Sequence, residues 1–188
     1  ALRYDPVAGR IVLTDMRLES ATMRLQAAGH SYLINAAGQP ITGPLSGRRP
    51  AAFLGQLAFS DVSIDPEGLF QEPLQFAQGA LDVRLQLDPF ALDVGQLSLT
   101  DTGRQVLVSG RIAAEPDGWR SALDVSLDRV TRDGLLRLWP LTVVPPTRTW
   151  IERNLLDGLL TDVKAAFRSA PGTEPRLQLD YGFAEASL

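Results

Sequence analysis

Apolar and polar residues alternate along several stretches of this chain, and this alternation constrains its fold more than any other feature. From Leu81 to Leu87 every second residue is Leu or Val, and the residues between them are Asp, Arg and Gln. Because successive side chains of a β-strand point to opposite faces of a sheet, the pattern predicts a strand with one apolar and one polar face. Similar alternation occurs in residues 92–99, 119–127 and 177–183. We therefore expect strands that share one apolar face and continue to the C-terminus.

Turn signals separate these stretches at short intervals. Asp88-Pro89, Asp101-Thr102-Gly103 and Pro116-Asp117-Gly118 each combine a residue that fixes or relaxes φ with a short polar side chain, which predicts antiparallel hairpins. Gly95-Gln96 interrupts one alternating stretch and is predicted to be a bulge that shifts the register by one residue. Residues 35–50 are rich in Gly and Pro, and we expect them to form the longest irregular and most mobile connection.

Residues 131–158 break the alternation and are predicted to be a helical insert. One short helix is expected around residues 134–139, and a second is expected to open at Pro145 and to end at Gly158, a residue suited to a left-handed cap. On the second helix, Arg148, Glu152 and Arg153 are predicted to point away from the apolar side. The side chains expected to pack the helices onto one end of the sheet are Trp139, Trp150, Ile151 and Leu155.

These elements predict a mainly β fold, with an antiparallel, strongly curved sheet built from hairpin repeats and two short helices. A continuous apolar face must be covered by helices, by a second sheet as in a sandwich, or by curling of the sheet into a groove. Two short helices are too small to cover all of it. Because the chain opens directly into patterned sequence, we expect residues 1–188 to be a single β-rich segment of a longer protein.

A weak internal repeat relates residues 10–38 to residues 91–118. Leu18 and Leu99 lie 81 residues apart, as do Gly29 and Gly110. Two explanations remain open: a duplicated hairpin unit, and the similarity that any two alternating hairpins ending at Gly would share.

Composition leaves few residues for catalysis or metal binding. The chain has no Cys, one His and two Met, and its formal net charge is −4 without a basic cluster, so neither nucleic-acid binding nor enzymatic activity is expected. His30 has no Cys, second His or Ser-Asp pair to work with, and a structural role is expected for it. Asp61, Asp65 and Glu67 lack the spacing of a calcium loop. We therefore expect no catalytic residues, no metal site and no cofactor.

The stretch from Leu138 to Val163 contains Trp139-Pro140, then Pro145-Pro146-Thr147-Arg148-Thr149-Trp150, then an Asn-Leu-x-x-Gly turn from Asn154 to Gly158. It resembles the signature of a domain of unknown function found in YhdP-like members of the AsmA superfamily, whose relatives include TamB-like envelope proteins. The strand residues from Gly79 to Arg84 and from Leu87 to Phe90 are also similar to the family pattern, so the resemblance covers most of the chain.

This resemblance implies a periplasmic segment of a protein anchored in the inner membrane through a part outside this chain. It implies a U-shaped sheet whose hydrophobic groove carries phospholipid acyl chains between the inner and outer membranes, without catalytic residues. The candidates for the groove wall are Leu81, Val83, Leu85, Leu92, Val94, Leu97, Leu99, Leu123, Val125, Leu127, Leu177, Leu179, Tyr181 and Phe183. Since some of these side chains must also pack a core, the pattern alone does not divide lipid contacts from packing.

The alternative is a scaffold or assembly module for outer-membrane protein biogenesis, as the TamB-like relatives suggest. Such a module would bind other envelope proteins through the open edges of its sheet, because an edge strand presents unpaired backbone N–H and C=O groups.

Overall fold

The chain forms one antiparallel sheet in a computed structural model that describes residues 1–155 and 157–187. Ten strands lie side by side in the order in which they occur in the sequence. The strands are β1 (Leu2–Asp5), β2 (Arg10–Glu19), β3 (Met23–Ile34), β4 (Ala52–Ile64), β5 (Leu74–Leu87), β6 (Phe90–Asp101), β7 (Arg104–Glu115), β8 (Gly118–Thr131), β9 (Asp157–Ser169) and β10 (Arg176–Ser187). Helices α1 (Arg132–Leu138) and α2 (Pro145–Asn154) lie between β8 and β9. The predicted mainly β, antiparallel fold with two short helices is confirmed.

The sheet is a continuous meander that stays open. Every pair of neighbouring strands is antiparallel, and within residues 1–155 and 157–187 β1 and β10 each pair with a single strand. The turn between β6 and β7 shows why the hairpins form: Gly103 adopts a φ of 78°, and the Asp101 carboxylate accepts a 2.7 Å hydrogen bond from the N–H of Thr102.

Cross-strand register gives the sheet one apolar face and one polar face, because directly paired residues project to the same side. One row crosses the whole sheet with an apolar side chain or Gly in every strand: Leu2, Leu13, Gly29, Leu57, Leu81, Leu97, Val108, Val125, Ala165 and Leu179. On the opposite side, the next row includes His30, Gln56, Asp82 and Gln96. The alternation in the sequence therefore separates the two faces.

Bulges keep the apolar face continuous where the alternation slips. Val94 pairs with Gly110 and Leu97 pairs with Val108, so residues 95 and 96 together oppose a single residue of β7. This confirms the bulge predicted at Gly95-Gln96. Asp61 in β4 and Asp162 in β9 both have a φ of 51° and lie at similar irregularities.

The two helices and the segment between them form a helical cap, defined here as residues 132–155, over one end of the apolar face. The Thr131 hydroxyl accepts a 3.1 Å hydrogen bond from the N–H of Gly134 and caps α1, while Pro145 stands in the first turn of α2. The buried core lies between the cap and the strands. Its residues are Val62, Leu74, Phe76, Leu99, Val106, Leu127, Val130, Leu135, Leu136, Trp139, Ile151, Leu155, Leu160 and Val163.

The connection between β4 and β5 is tied to the cap. The N–H of Leu141 donates a 2.8 Å hydrogen bond to the carbonyl oxygen of Leu69, and the Arg137 guanidinium lies 3.2 Å from the carboxylate of Glu72. Two segments far apart in sequence thus cover the same end of the sheet.

The face of α2 that is buried differs from the predicted one. Arg148, Ile151 and Leu155 are buried, whereas Trp150 is 56% exposed, so the assignment of Trp150 to helix packing and the outward placement of Arg148 were wrong. The physical reason is the helical repeat: residues at i, i+3 and i+7 share one side, and Trp150 falls outside that stripe.

The end of α2 also differs from the prediction. The last helical residue is Asn154, and its cap, Leu155, has a φ of −98° and donates to the carbonyl oxygen of Ile151. Gly158 has a φ of 141° within β9, where backbone pairing with β10 begins at Asp157, so it does not cap the helix.

The hairpins β2–β3 and β6–β7 share several features. Strand β7 begins 81 residues after the start of β3 and ends 81 residues after its end. Each hairpin also has a register shift, which lies between Leu13 and Met16 in β2 and between Val94 and Leu97 in β6. A common origin of the two units stays a prediction.

The connection from residue 35 to residue 51 is irregular and folds back against β1 and β3. Ile41 is buried, its N–H donates a 2.7 Å hydrogen bond to the carbonyl oxygen of Leu33, and the Tyr4 hydroxyl donates a 2.8 Å bond to the carbonyl oxygen of Gly43.

Candidate functional site

The helical cap covers only part of the apolar face, and the remainder is the candidate site. Towards the hairpin turns at the opposite end of the strands, apolar side chains become progressively exposed, and Leu87 and Trp119 reach 54% and 58%. Trp119 contacts Phe90 edge to face, with ring centroids 5.5 Å apart. A contiguous exposed apolar surface on a folded chain marks a place where an apolar ligand or partner binds.

All the groove candidates lie on the apolar face, but they differ in how far they are buried. Leu99 and Leu127 are buried beneath the cap. Five more are partly buried against the same core: Leu97, Val125, Leu177, Leu179 and Tyr181. The half-buried residues nearer the uncovered end are Leu81, Val83, Leu85, Leu92, Val94 and Leu123, and Phe183 is 47% exposed. The candidates therefore divide into a packed set and a set open to a ligand.

An apolar pocket of about 250 Å³ lies between the cap and the last three strands. Its walls come from β8, β9, β10, α1 and the segment after α1, and are formed by Leu123, Val125, Leu127, Leu135, Leu138, Trp139, Pro140, Val143, Val163, Ala165, Phe167, Leu177 and Leu179. Sequence reasoning missed this pocket. Its signal was Ala165, the small residue in the apolar row of β9 between Val163 and Phe167.

Ala165 provides the space for the pocket. It pairs directly with Val125 on one side and with Leu179 on the other, so two larger side chains flank a single methyl group. The indole N–H of Trp139, the one hydrogen-bonding side-chain group of the wall, donates a 2.7 Å hydrogen bond to the carbonyl oxygen of Val143. The pocket therefore presents hydrocarbon to whatever enters it.

Ion pairs link neighbouring strands on the polar face. Arg111 lies 2.7 Å from Asp93, and Arg168 lies 2.6 Å from Asp124. A third pair joins the guanidinium of Arg120 to the carboxylate of Glu115; its hydrogen bonds lower the pKa of the Glu115 carboxyl and raise the pKa of Arg120. Since these bases are matched by acids, the polar face offers solvation without a strongly charged patch.

The described residues hold no group of three or more His, Asp or Glu side chains that could bind a metal ion. His30 lies on the polar face, and its ring contacts the Tyr32 ring edge to face, with the ring centroids 5.3 Å apart. Neither described helix is long and apolar enough to cross a membrane.

The fold and the site define a class: an open antiparallel sheet with one apolar face, part of which is covered by a helical cap over an apolar pocket. No family model, curated protein or solved structure matches this chain.

Proposed function

We propose that this chain binds the acyl chains of phospholipids along its uncovered apolar face. As a segment of an AsmA/YhdP-like envelope protein, it would contribute to phospholipid transport between the inner and outer membranes. The proposal places the segment in the periplasm, with the inner-membrane anchor elsewhere in the protein and no enzymatic step. The observation that carries it is the apolar row that crosses all ten strands while the helical cap lies over only one end of the face.

The energetics favour movement along the surface rather than capture at one point. Each methylene removed from water contributes about 0.8 kcal/mol, and this attraction is non-directional. A long face made mainly of aliphatic side chains therefore holds an acyl chain without fixing its position. The polar headgroup of such a lipid remains in water, where its hydrogen bonds are kept.

The test is lipid uptake by Val83→Asp. Val83 lies on the apolar face directly opposite Val94 and is half-buried, so a carboxylate there places a charge in the path of the acyl chain. The matched control is Ala80→Asp, on the same strand but on the exposed polar face.

We expect wild type and Ala80→Asp to take up a fluorescent phospholipid from phosphatidylethanolamine and phosphatidylglycerol vesicles, and Val83→Asp to lose most of this uptake. Circular dichroism and thermal unfolding check that each variant is folded. Absence of uptake by the wild type, or equal uptake by a folded Val83→Asp, would contradict the proposal.

A second candidate function rests on the free edge of β10. That strand extends from Arg176 to Ser187 and pairs only with β9, so a long backbone edge is available for pairing with a partner strand. This edge supports the scaffold role in outer-membrane protein biogenesis. The two candidates differ in their response to Val83→Asp, which should leave edge pairing intact while it abolishes lipid uptake.

A further inference from the structure

The pocket beneath the helical cap differs from the uncovered apolar face in being bounded on several sides. Leu135 and Leu138 of α1 stand over it, and Leu177 and Leu179 of β10 form one side. The sheet side of the pocket includes Ala165, whose methyl group lies between the larger side chains of its strand partners Val125 and Leu179. A ligand there touches both the cap and the sheet.

The chemistry of the wall restricts what can enter. The Trp139 N–H is already bonded to the Val143 carbonyl oxygen, and the other wall side chains carry no donor or acceptor. A polar group placed inside would lose its hydrogen bonds to water without replacement, which is strongly unfavourable in an apolar medium. The part of a ligand that enters must therefore be hydrocarbon.

The size of the pocket selects an end rather than a whole molecule. Its volume of about 250 Å³ is below the roughly 300–1,000 Å³ typical of pockets that enclose a complete small ligand. An unbranched chain can insert its end and continue outside along the apolar face.

We propose that the pocket receives the methyl end of one acyl chain and that the cap, together with Ala165, determines how much of the chain enters. This inference rests on the proposed function, since the rest of the same lipid lies on the uncovered face. Binding at the capped end of the sheet then depends on the length of the acyl chain, whereas binding along the uncovered part does not.

The test places a photoreactive diazirine at the methyl end of one acyl chain of a phosphatidylcholine and, in a second probe, near the glycerol. After irradiation, cross-linked peptides are mapped by mass spectrometry. In the wild type the methyl-end probe is expected to label residues 132–143 of the cap, and the glycerol-end probe is expected to label the uncovered strands around residues 81–94.

Ala165→Leu fills the floor of the pocket, and Ala166→Leu is its matched control on the polar face of the same strand. Each methylene that the larger side chain keeps out of the pocket weakens binding about fourfold. Labelling of residues 132–143 by the methyl-end probe should therefore fall at least about fourfold in Ala165→Leu and stay at the wild-type level in Ala166→Leu. Labelling of the uncovered strands should persist in both variants.

A second variant changes the pocket in the opposite direction, which keeps the proposal testable if Ala165→Leu fails to fold. Leu138→Ala shortens a half-buried cap side chain in the wall, so the methyl end should reach deeper and label β9 more strongly.

The outcomes separate the two proposals. If neither probe labels the wild type, acyl-chain binding itself is wrong and the pocket assignment falls with it. If lipid labels the uncovered strands but never the cap, or if Ala165→Leu leaves cap labelling unchanged, acyl-chain binding stands and the pocket assignment is overturned.

Discussion

The guanidinium of Arg148 on α2 donates a 3.0 Å hydrogen bond to the side-chain carbonyl oxygen of Gln71, a residue 77 positions earlier in the chain. The same guanidinium donates to the Leu136 carbonyl oxygen at 3.4 Å and lies 3.5 Å from the Glu152 carboxylate. Although Arg148 is charged, it is 9% exposed, and its Nε has no hydrogen-bond partner among the described residues. Arg148 thus joins both helices to the connection between β4 and β5.

Removing one partner of this bond should weaken the attachment of the cap. Gln71→Ala is expected to lower the free energy of unfolding by about 1 kcal/mol, because a buried guanidinium loses an acceptor. In an Arg148→Met background the same Gln71→Ala change should have almost no effect, and urea unfolding of the four proteins gives the coupling. Equal losses in both backgrounds would mean that the hydrogen bond contributes nothing.

The two tryptophans of the cap should differ strongly in their effect on stability. Trp139 is 6% exposed, and its indole N–H donates a hydrogen bond to the carbonyl oxygen of Val143. Trp139→Ala should therefore lower the free energy of unfolding by about 3–5 kcal/mol, measured by urea or thermal unfolding. Trp150→Ala should change the free energy of unfolding by less than about 0.5 kcal/mol, because that side chain is 56% exposed. A large loss on changing Trp150 would contradict its position outside the packed face.

Much of the sheet could be predicted from local pattern. The alternation around Leu81 identifies a strand and its apolar face without any knowledge of its neighbours, because the period of two is a property of the strand itself. The bulge at Gly95-Gln96 was predictable for the same reason: it is the point where the alternation slips.

The cap and its pocket depend on contacts that no local pattern contains. Hydropathy places Trp150 inside and Arg148 outside, yet the helix buries Arg148 because Gln71 and the Leu136 carbonyl provide acceptors at that position. The pocket depends on which strands become neighbours: Ala165 leaves a space only because Val125 and Leu179 flank it and the cap closes over it.

Two ion pairs predict a loss of stability in acid. A hydrogen bond from Arg120 lowers the pKa of the Glu115 carboxyl below its ordinary 4.5, and hydrogen bonds from the Thr102 N–H and then from Arg104 lower the pKa of Asp101 below 3.8. Since both pKa values are lower in the folded chain than in the unfolded one, the stabilisation is complete above the unfolded values and is lost as the pH falls through the folded ones.

The Tm of the wild type should therefore fall more steeply below pH 4.5 than that of Glu115→Gln, which removes one of these carboxyls. Glu67→Gln is the control, because Glu67 forms no ion pair with the described residues. The difference in Tm between wild type and Glu115→Gln should diminish at high salt, since the ion pair is exposed. Identical pH profiles for wild type and Glu115→Gln would rule out a contribution from this pair.

Gly110 in β7 should be much less tolerant of substitution than the bulge glycine of β6. Its φ is 138°, and an added Cβ would lie 2.1 Å from the Ala122 carbonyl oxygen and 2.9 Å from the Leu123 Cα, both in the backbone of β8. Gly110→Ala must therefore displace a neighbouring strand in the middle of the sheet, and we expect the free energy of unfolding to fall by about 2–4 kcal/mol.

At Gly95 the nearest atom to an added Cβ is the Asp82 carbonyl oxygen at 3.5 Å, which is an ordinary contact. Gly95→Ala should therefore change the free energy of unfolding by less than about 1 kcal/mol. Denaturant unfolding of the two variants measures this difference, and similar losses would show that β8 yields to the added methyl group.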